Sequence, residues 1–408
     1  MDDRGTKKRA AAARSVCYTG AVSLQAVLDA HRVVVVVGCG GVGKTTTAAS
    51  LAVRAAMGGK RVLCLTIDPA RRLANSLGLE EMTTDEQRVP ASLFEAKGLE
   101  MKGELSAMML DTKRTFDELV ARYASSPEIG DRILKNKVYA YLSTSLAGTQ
   151  EYMAMEKLHS VRADDRYDLI VLDTPPTSNA LDFLDAPERM AGLVDSPAMR
   201  WFIQAFEGAG KFSFNLVGKS AAFLLRGLSK FTGTGFLEVV AEFVTDFNDL
   251  FGGFRERAKE VSDALRSPEV AFVIVTSPSP LAMEEAIFFA ERLEEAGMQR
   301  DAFVINGIRP LFAESAASSK ELTELADPHL PDTVDARRAV ERMRRAVDDA
   351  RIRAIADRLQ ADRLRQRAGS DQLYVEVPAF DEDVHDLGAL SQVARYLMGD
   401  EKVPTVIS

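Results

Sequence analysis

Gly38-Cys39-Gly40-Gly41-Val42-Gly43-Lys44-Thr45 fits G-x-x-x-x-G-K-[ST], the loop whose backbone N–H groups cradle phosphates. On its amino side Val33 to Val37 are all valines and read as a buried strand. On its carboxyl side Thr45 to Met57 is Ala-rich and stopped by Gly58-Gly59, which reads as a helix with its end signal. Strand, glycine loop and helix bring backbone N–H groups and a helix N-terminus to one point, a setting suited to an anion. Gly38, Gly40, Gly41, Val42 and Gly43 then form the cradle. Lys44 reaches the β/γ-phosphates, Thr45 offers its hydroxyl to Mg²⁺, and Thr46 completes the set. The glycines also satisfy the dinucleotide pattern G-x-G-x-x-G, but that pattern expects no Lys-Thr after its last glycine.

The chain has 408 residues, 46% hydrophobic and 27% charged, an ordinary balance for a large folded core. Its net charge of −9 argues against a general nucleic-acid binder, which would show a basic face. Arg4, Lys7, Lys8, Arg9 and Arg14 mark a basic tail with no apolar segment of signal-peptide length after them. No apolar run is long enough to span a bilayer. Cys17, Cys39 and Cys64 form no C-x-x-C pair, so no zinc clasp or disulfide framework is visible and a cytoplasmic location is expected.

Further strands are read at Arg61 to Thr66, Tyr167 to Leu172, Val270 to Thr276, Ala302 to Ile305 and Leu373 to Val377. Helices are read over Glu104 to Tyr123, Gln150 to Val161, Ala282 to Gly297 and Leu387 to Met398. The alternation predicts an α/β P-loop NTPase with a doubly wound, mainly parallel sheet. Helical insertions near 102–160, 190–265 and 313–368 would form an α-helical subdomain. Residues 1–30 are expected as a flexible tail, 31–400 as one ATPase domain and 401–408 as a C-terminal tail. Within Ala336 to Ala368, Val340, Met343, Val347, Ile352, Ile355 and Leu359 recur near helical spacing. They predict an amphipathic helix with one face on the core.

Two aspartates end strands. Asp173 stands where a carboxylate would hold a magnesium-bound water, and Asp68 where one would orient the water that attacks the γ-phosphate. No N-K-x-D element follows a late strand, so ATP is expected rather than GTP.

These motifs together resemble the ArsA-like family, which covers arsenite-pump ATPases and the ATPase of guided entry for tail-anchored membrane proteins. Asp68-Pro69-Ala70 is similar to that family's first switch. Asp173-Thr174-Pro175-Pro176-Thr177, with Leu181 and Phe183-Leu184, is similar to its second. Ala107 to Asp111 and Gly148 to Glu156 resemble a bacterial subgroup. The resemblance implies Asn306 and the loop from Pro378 to Val384 as the adenine site. It also implies Asp68 and Lys44 as catalytic residues, and Thr45 with Asp173 as the metal side. It implies a dimer, with itself or with a paralogous ATPase, and hydrophobic protein or membrane-surface partners.

Three departures qualify this. The family's loop carries a lysine where Cys39 stands, a cation that reaches the partner's phosphates across the dimer. Arg71 or Arg72, or a paralogous subunit, would have to replace it. There is no C-x-x-C to clasp zinc between subunits. An arsenite site needs converging thiolates, and the three cysteines are scattered.

Between Trp201 and Phe254 lie eleven of the twenty phenylalanines. From Gly208 to Leu237 there is no acid, only Lys211, Lys219, Arg226 and Lys230. That is roughly 1,600–2,700 Å² of apolar surface, far above what a monomer leaves bare. Phe243, Phe247, Leu250 and Phe254 keep helical spacing, so the stretch is read either as core or as a groove for a client, a partner or a membrane.

Overall fold

The computed structural model describes residues 23–67, 72–145, 149–174, 256–312, 318–329, 331, 335–369 and 371–404, with Ala186, Val239, Phe243 and Asp246. The expectations for Asp68, Arg71, the second switch beyond Thr174 and nearly all of the Phe-rich stretch lie outside these residues, as does the Arg72 side chain.

Eight strands form one sheet: β1 (Val33–Val37), β2 (Arg61–Thr66), β3 (Gln87–Arg88), β4 (Glu104–Met109), β5 (Leu169–Asp173), β6 (Val270–Thr276), β7 (Arg300–Ile308) and β8 (Leu373–Pro378). Their order is β3-β4-β2-β5-β1-β6-β7-β8. Only the short β3 runs antiparallel. The period-two alternation of a strand divides the valines of β1 between two cores. Val33, Val35 and Val37 face one side with Leu63 and Phe272. Val34 and Val36 face the other with Cys64 and Val273. Both faces are covered, which is why β1 and β6 read as unbroken apolar runs.

The helices include α1 (Leu24–Ala30), α2 (Lys44–Met57), α3 (Thr112–Tyr123), α4 (Thr149–Arg162), α5 (Pro280–Glu295), α6 (Ser319–Ala326), α7 (Ala336–Ala368) and α8 (Leu387–Met398). The expected tail loses its last residues to α1. Ser23 caps that helix, and Leu24, Val27 and Leu28 are buried against the sheet's second core.

A second correction concerns Glu104 to Tyr123, read from sequence as one helix. Its first part is β4, paired in parallel with β2, and the helix begins only after the cap at Asp111. Glu, Leu, Ala and Met favour helix locally. Leu105 and Ala107 nevertheless complete the core beside Cys64, and tertiary packing overrides the propensity.

The third correction is α7. The helix is present, but of the six residues expected on its core face only Val340 is buried. Ile352, Ile355 and Leu359 lie on the opposite side, since five residues beyond Val347 the helix has turned by about 140°. The face that meets the body carries Ala354, Asp357, Ala361 and Leu364. Asp357 is tolerated there because it accepts the Arg309 backbone N–H at 3.0 Å and the Arg309 guanidinium at 2.8 Å.

Candidate nucleotide-binding site

The sheet reverses its winding at β1, which sits between β5 and β6. The carboxyl ends of β1, β2, β5, β7 and β8 therefore open on one crevice, the usual place for a ligand in such a sheet. A cavity of about 750 Å³ lies there. Gly40, Gly41, Gly43, Lys44, Thr45, Thr46, Asn306 and Pro378 are among its lining residues. Gly38 and Val42 are not among its lining residues. Val42 turns its side chain into the core and presents only backbone, while Gly38 packs against β6.

Two glycines have no substitute. A Cβ on Gly38 would stand 2.1 Å from the Val275 carbonyl oxygen. Gly43 has φ +97°, and a Cβ there would meet Asn306 at 2.2 Å. Gly43 is also the N-cap of α2 and offers no side-chain acceptor, so the first N–H groups of that helix await an anion.

Register brings the acid to this loop. Asp173 pairs with Val36 of β1 on one side and Thr66 of β2 on the other. It is fully buried. Its Oδ2 accepts the Thr45 hydroxyl at 2.8 Å and the Thr66 hydroxyl at 3.1 Å. Thr174 closes the strand end by donating to the Val36 carbonyl at 2.8 Å. Lys44 donates to the Cys39 carbonyl at 2.8 Å, folding its ammonium back over the loop.

No cluster of three or more His, Cys, Asp or Glu among the described residues could hold a metal by itself. A hydroxyl at Thr45 backed by one carboxylate suits instead a hard ion that keeps waters and shares phosphate oxygens, as Mg²⁺ does.

Beside the loop Asn306 donates from Nδ2 to the Val42 carbonyl at 2.9 Å, pinning β7 to it. Pro378, Ala379, Phe380, Asp383 and Val384 build a wall with apolar and polar faces, where the resemblance puts adenine. Thr66, Asn75, Ser76 and His385 are members of the site that the sequence reading missed. Thr66 was legible as the last residue of a strand beside Asp68. The others had no motif to announce them.

Cys39 lies half-buried at the loop's turn. Burial pushes its thiol up to about 11, the neighbouring Glu285 of α5 adds to this, and Lys44 opposes it. The loop thus presents a neutral thiol at the position where the resemblance expects a lysine. Cys64 is sealed in β2, its thiol raised by burial and then by Asp173.

A glycine loop on the central strand, a lysine and threonine opening the next helix, and a buried acid behind them define a P-loop nucleoside triphosphatase. More particularly, the sequence profile of the anion-transporting (ArsA) ATPases matches residues 31–325, and the chain belongs to that family of ATPases. It is similar to ATPase GET3 of Malassezia globosa, 23% identical over 373 residues that span 90% of this chain and 91% of that one. ATPase GET3 of Kluyveromyces lactis is 25% identical over 298 residues, 70% of this chain and 73% of that one. ATPase ASNA1 homolog 1 of Paramecium tetraurelia is 33% identical over 153 residues, which cover 38% of this chain and only 43% of that relative.

Proposed function

We propose that the chain is a Mg²⁺-dependent ATP hydrolase whose nucleotide state opens and closes a dimer, and with it an apolar helical subdomain for hydrophobic protein or membrane-related cargo. The observation that carries the reading is the hydrogen bond from Thr45, which lines a glycine-edged cavity, to the buried Asp173 behind it. Gly40 to Gly43 and the free end of α2 would bind the phosphates, and Lys44 would swing from the Cys39 carbonyl onto the β/γ oxygens. Thr45 and Asp173 would hold Mg²⁺, which neutralises charge on the phosphates when bound. Asp68 would orient the attacking water. Asn306 and the Pro378 loop would hold adenine.

The partner subunit is a second copy or a paralogue, the site of action the cytoplasm or the face of a membrane. No helix among the described residues is long and apolar enough to cross a bilayer. Cargo binding rests on the phenylalanine content of 201–254 and on the family's character.

A second reading is favoured by Cys39: a nucleotide-gated scaffold that binds ATP and scarcely turns it over. A positioned cation on the transferring phosphate contributes about 10³–10⁵ in rate in related phosphoryl transfers. Turnover of the native chain and of Cys39→Lys separates the two. The hydrolase reading expects Mg²⁺-dependent turnover in the native chain, with Arg71, Arg72 or a partner supplying the charge. The scaffold reading expects turnover only after the substitution. Absence of adenine-nucleotide binding in calorimetry would overturn both. Stimulation by arsenite or antimonite would instead support an anion pump.

A further inference from the structure

The cavity has more polar groups in its lining than phosphates and base would use. Asn75, Ser76, Glu382, Asp383 and His385 line it as well. They come from two elements, the short helix Arg72–Leu77 and the loop that follows β8. The two elements are packed together. Leu73 and Leu77 are buried in the sheet's second core, and Phe380 and Val384 lie against the same core. Ser76 is only 9% exposed, and its hydroxyl donates to the Val384 carbonyl at 3.5 Å, the outer limit for such a bond. His385 donates from Nδ1 to the Asp383 carbonyl at 2.7 Å, which curls the loop on itself.

Charge sorts these groups by what they can hold. The phosphates of a nucleotide take the loop's N–H groups and Lys44, and a carboxylate set against them would meet like charge. Glu382 and Asp383 nevertheless belong to the lining, and among the described residues their carboxylates have neither hydrogen bond nor ion pair. Asp386, close by in sequence, differs. It accepts Lys97 at 2.7 Å and the Ala389 backbone N–H at 2.8 Å, and it does not line the cavity. An ionised carboxylate accepts hydrogen bonds only, so the ligand must bring it a donor. A nucleotide has donors on its base edge and on the vicinal hydroxyls of its sugar. Pro378 and Phe380 suit the apolar faces of the base, and the Asn306 amide suits its edge. The sugar hydroxyls remain for the acids, a pairing that α/β nucleotide sites use elsewhere. Ser76, with one long bond, keeps lone pairs for a further hydroxyl.

We propose that Ser76, Glu382 and Asp383 are the sugar side of the cavity: they accept the 2′- and 3′-hydroxyls of ribose and so make the site selective for ribonucleotides. The inference rests on the ATP reading above and adds the part of the ligand that reading left unassigned. Neither acid touches the reacting phosphate. Their effect is on which nucleotide is held, through two acceptors that a sugar without hydroxyls leaves unused.

The test is calorimetry on the full-length protein with Mg²⁺ and three ligands: ADP, 2′,3′-dideoxy-ADP and inosine diphosphate. ADP is expected to bind at least roughly tenfold more tightly than its dideoxy form, the worth of hydrogen bonds to charged acceptors. Glu382→Ala with Asp383→Ala should close that gap. Glu382→Gln with Asp383→Asn, which keeps the shape of both side chains, should shrink it, as should Ser76→Ala. Lys44→Ala should weaken both adenine nucleotides alike and keep the gap. Equal binding of ADP and dideoxy-ADP by the native chain overturns the proposal and leaves the ATP reading standing. A gap that survives both double substitutions overturns it too. So does a penalty for inosine diphosphate that the double substitutions remove, since that gives the acids to the base amine. Absence of binding by every one of the three ligands overturns the ATP reading and this inference with it.

Discussion

Thr45 Oγ1 lies 2.8 Å from Asp173 Oδ2, joining the first turn of the helix after the glycine loop to the end of a strand 128 positions later. The same oxygen accepts Thr66, so one carboxylate gathers two hydroxyls from separate elements. Asp173→Asn removes the charge with little change of shape. Mg²⁺-supported ATP turnover is expected to fall by about 10–100-fold, the usual cost of losing such a supporting ligand. A magnesium titration of turnover at saturating ATP checks it, and an unchanged titration curve contradicts the role.

Asn306 bridges from β7 to the Val42 carbonyl. Asn306→Ala deletes one neutral hydrogen bond, about 0.5–1.5 kcal/mol. ADP affinity, read by calorimetry, should drop by roughly two- to tenfold, with the unfolding midpoint little altered. Unaltered affinity would show that the bridge only holds the loop.

The Cys39 thiol is protonated at neutral pH, since its pKa stands at about 11. Thiolate is the species that alkylates. Iodoacetamide labelling of Cys39 in the folded chain should therefore stay slow through pH 8–9 and accelerate only toward pH 11. Labelling of unfolded chain rises near the ordinary value of 9.0. Rapid modification at pH 8, mapped by mass spectrometry, would contradict this.

Asp168 is held at about 2, chiefly by hydrogen bonds from the Arg61 side chain and then from its backbone N–H, against 3.8 unperturbed. A depressed carboxyl adds stability above its unfolded pKa and loses it as pH falls through the folded one. The contribution is therefore present above about pH 4 and gone by about pH 2. Both side chains are over a third exposed, so the effect is small. Thermal melts of Asp168→Asn should show a shallower acid-side decline than the native chain. Parallel curves would show that the pair contributes nothing.

Glu156 holds Arg257 through contacts of 2.6–2.9 Å, both side chains nearly sealed from water. Glu156→Ala would leave a guanidinium buried with, among the described residues, the exposed Glu260 as its remaining carboxylate. Breaking such a pair costs about 3–5 kcal/mol, readable as a shift in the urea midpoint. A loss below about 1 kcal/mol would mean that water reaches Arg257.

The glycine loop between β1 and α2, the acid at the end of β5 and the sheet's parallel character were legible because each is a local signal: fixed glycine spacing, an acid closing an apolar run, alternating elements. β4 was not, because Glu104 to Met109 are helix-favouring residues placed in a strand by contacts with β2 that no window contains. The buried face of α7 was not legible either, because its apolar residues near helical spacing fall on two sides of the helix. Only burial shows which part is covered. Glu156, noticed as the end of a subgroup motif, has a partner 101 positions away and no local signal for it. Asn75, Ser76 and His385 join the site by the folding of loops, which composition does not foretell.

Residues from Pro378 to His385 line the same cavity as Gly40 to Thr46, although some three hundred positions of chain separate the two stretches. The cavity therefore exists only once β1 and β8, on opposite sides of β6 and β7, have joined one sheet. A ligand that touched both stretches would report the completed sheet, and neither stretch alone would hold it.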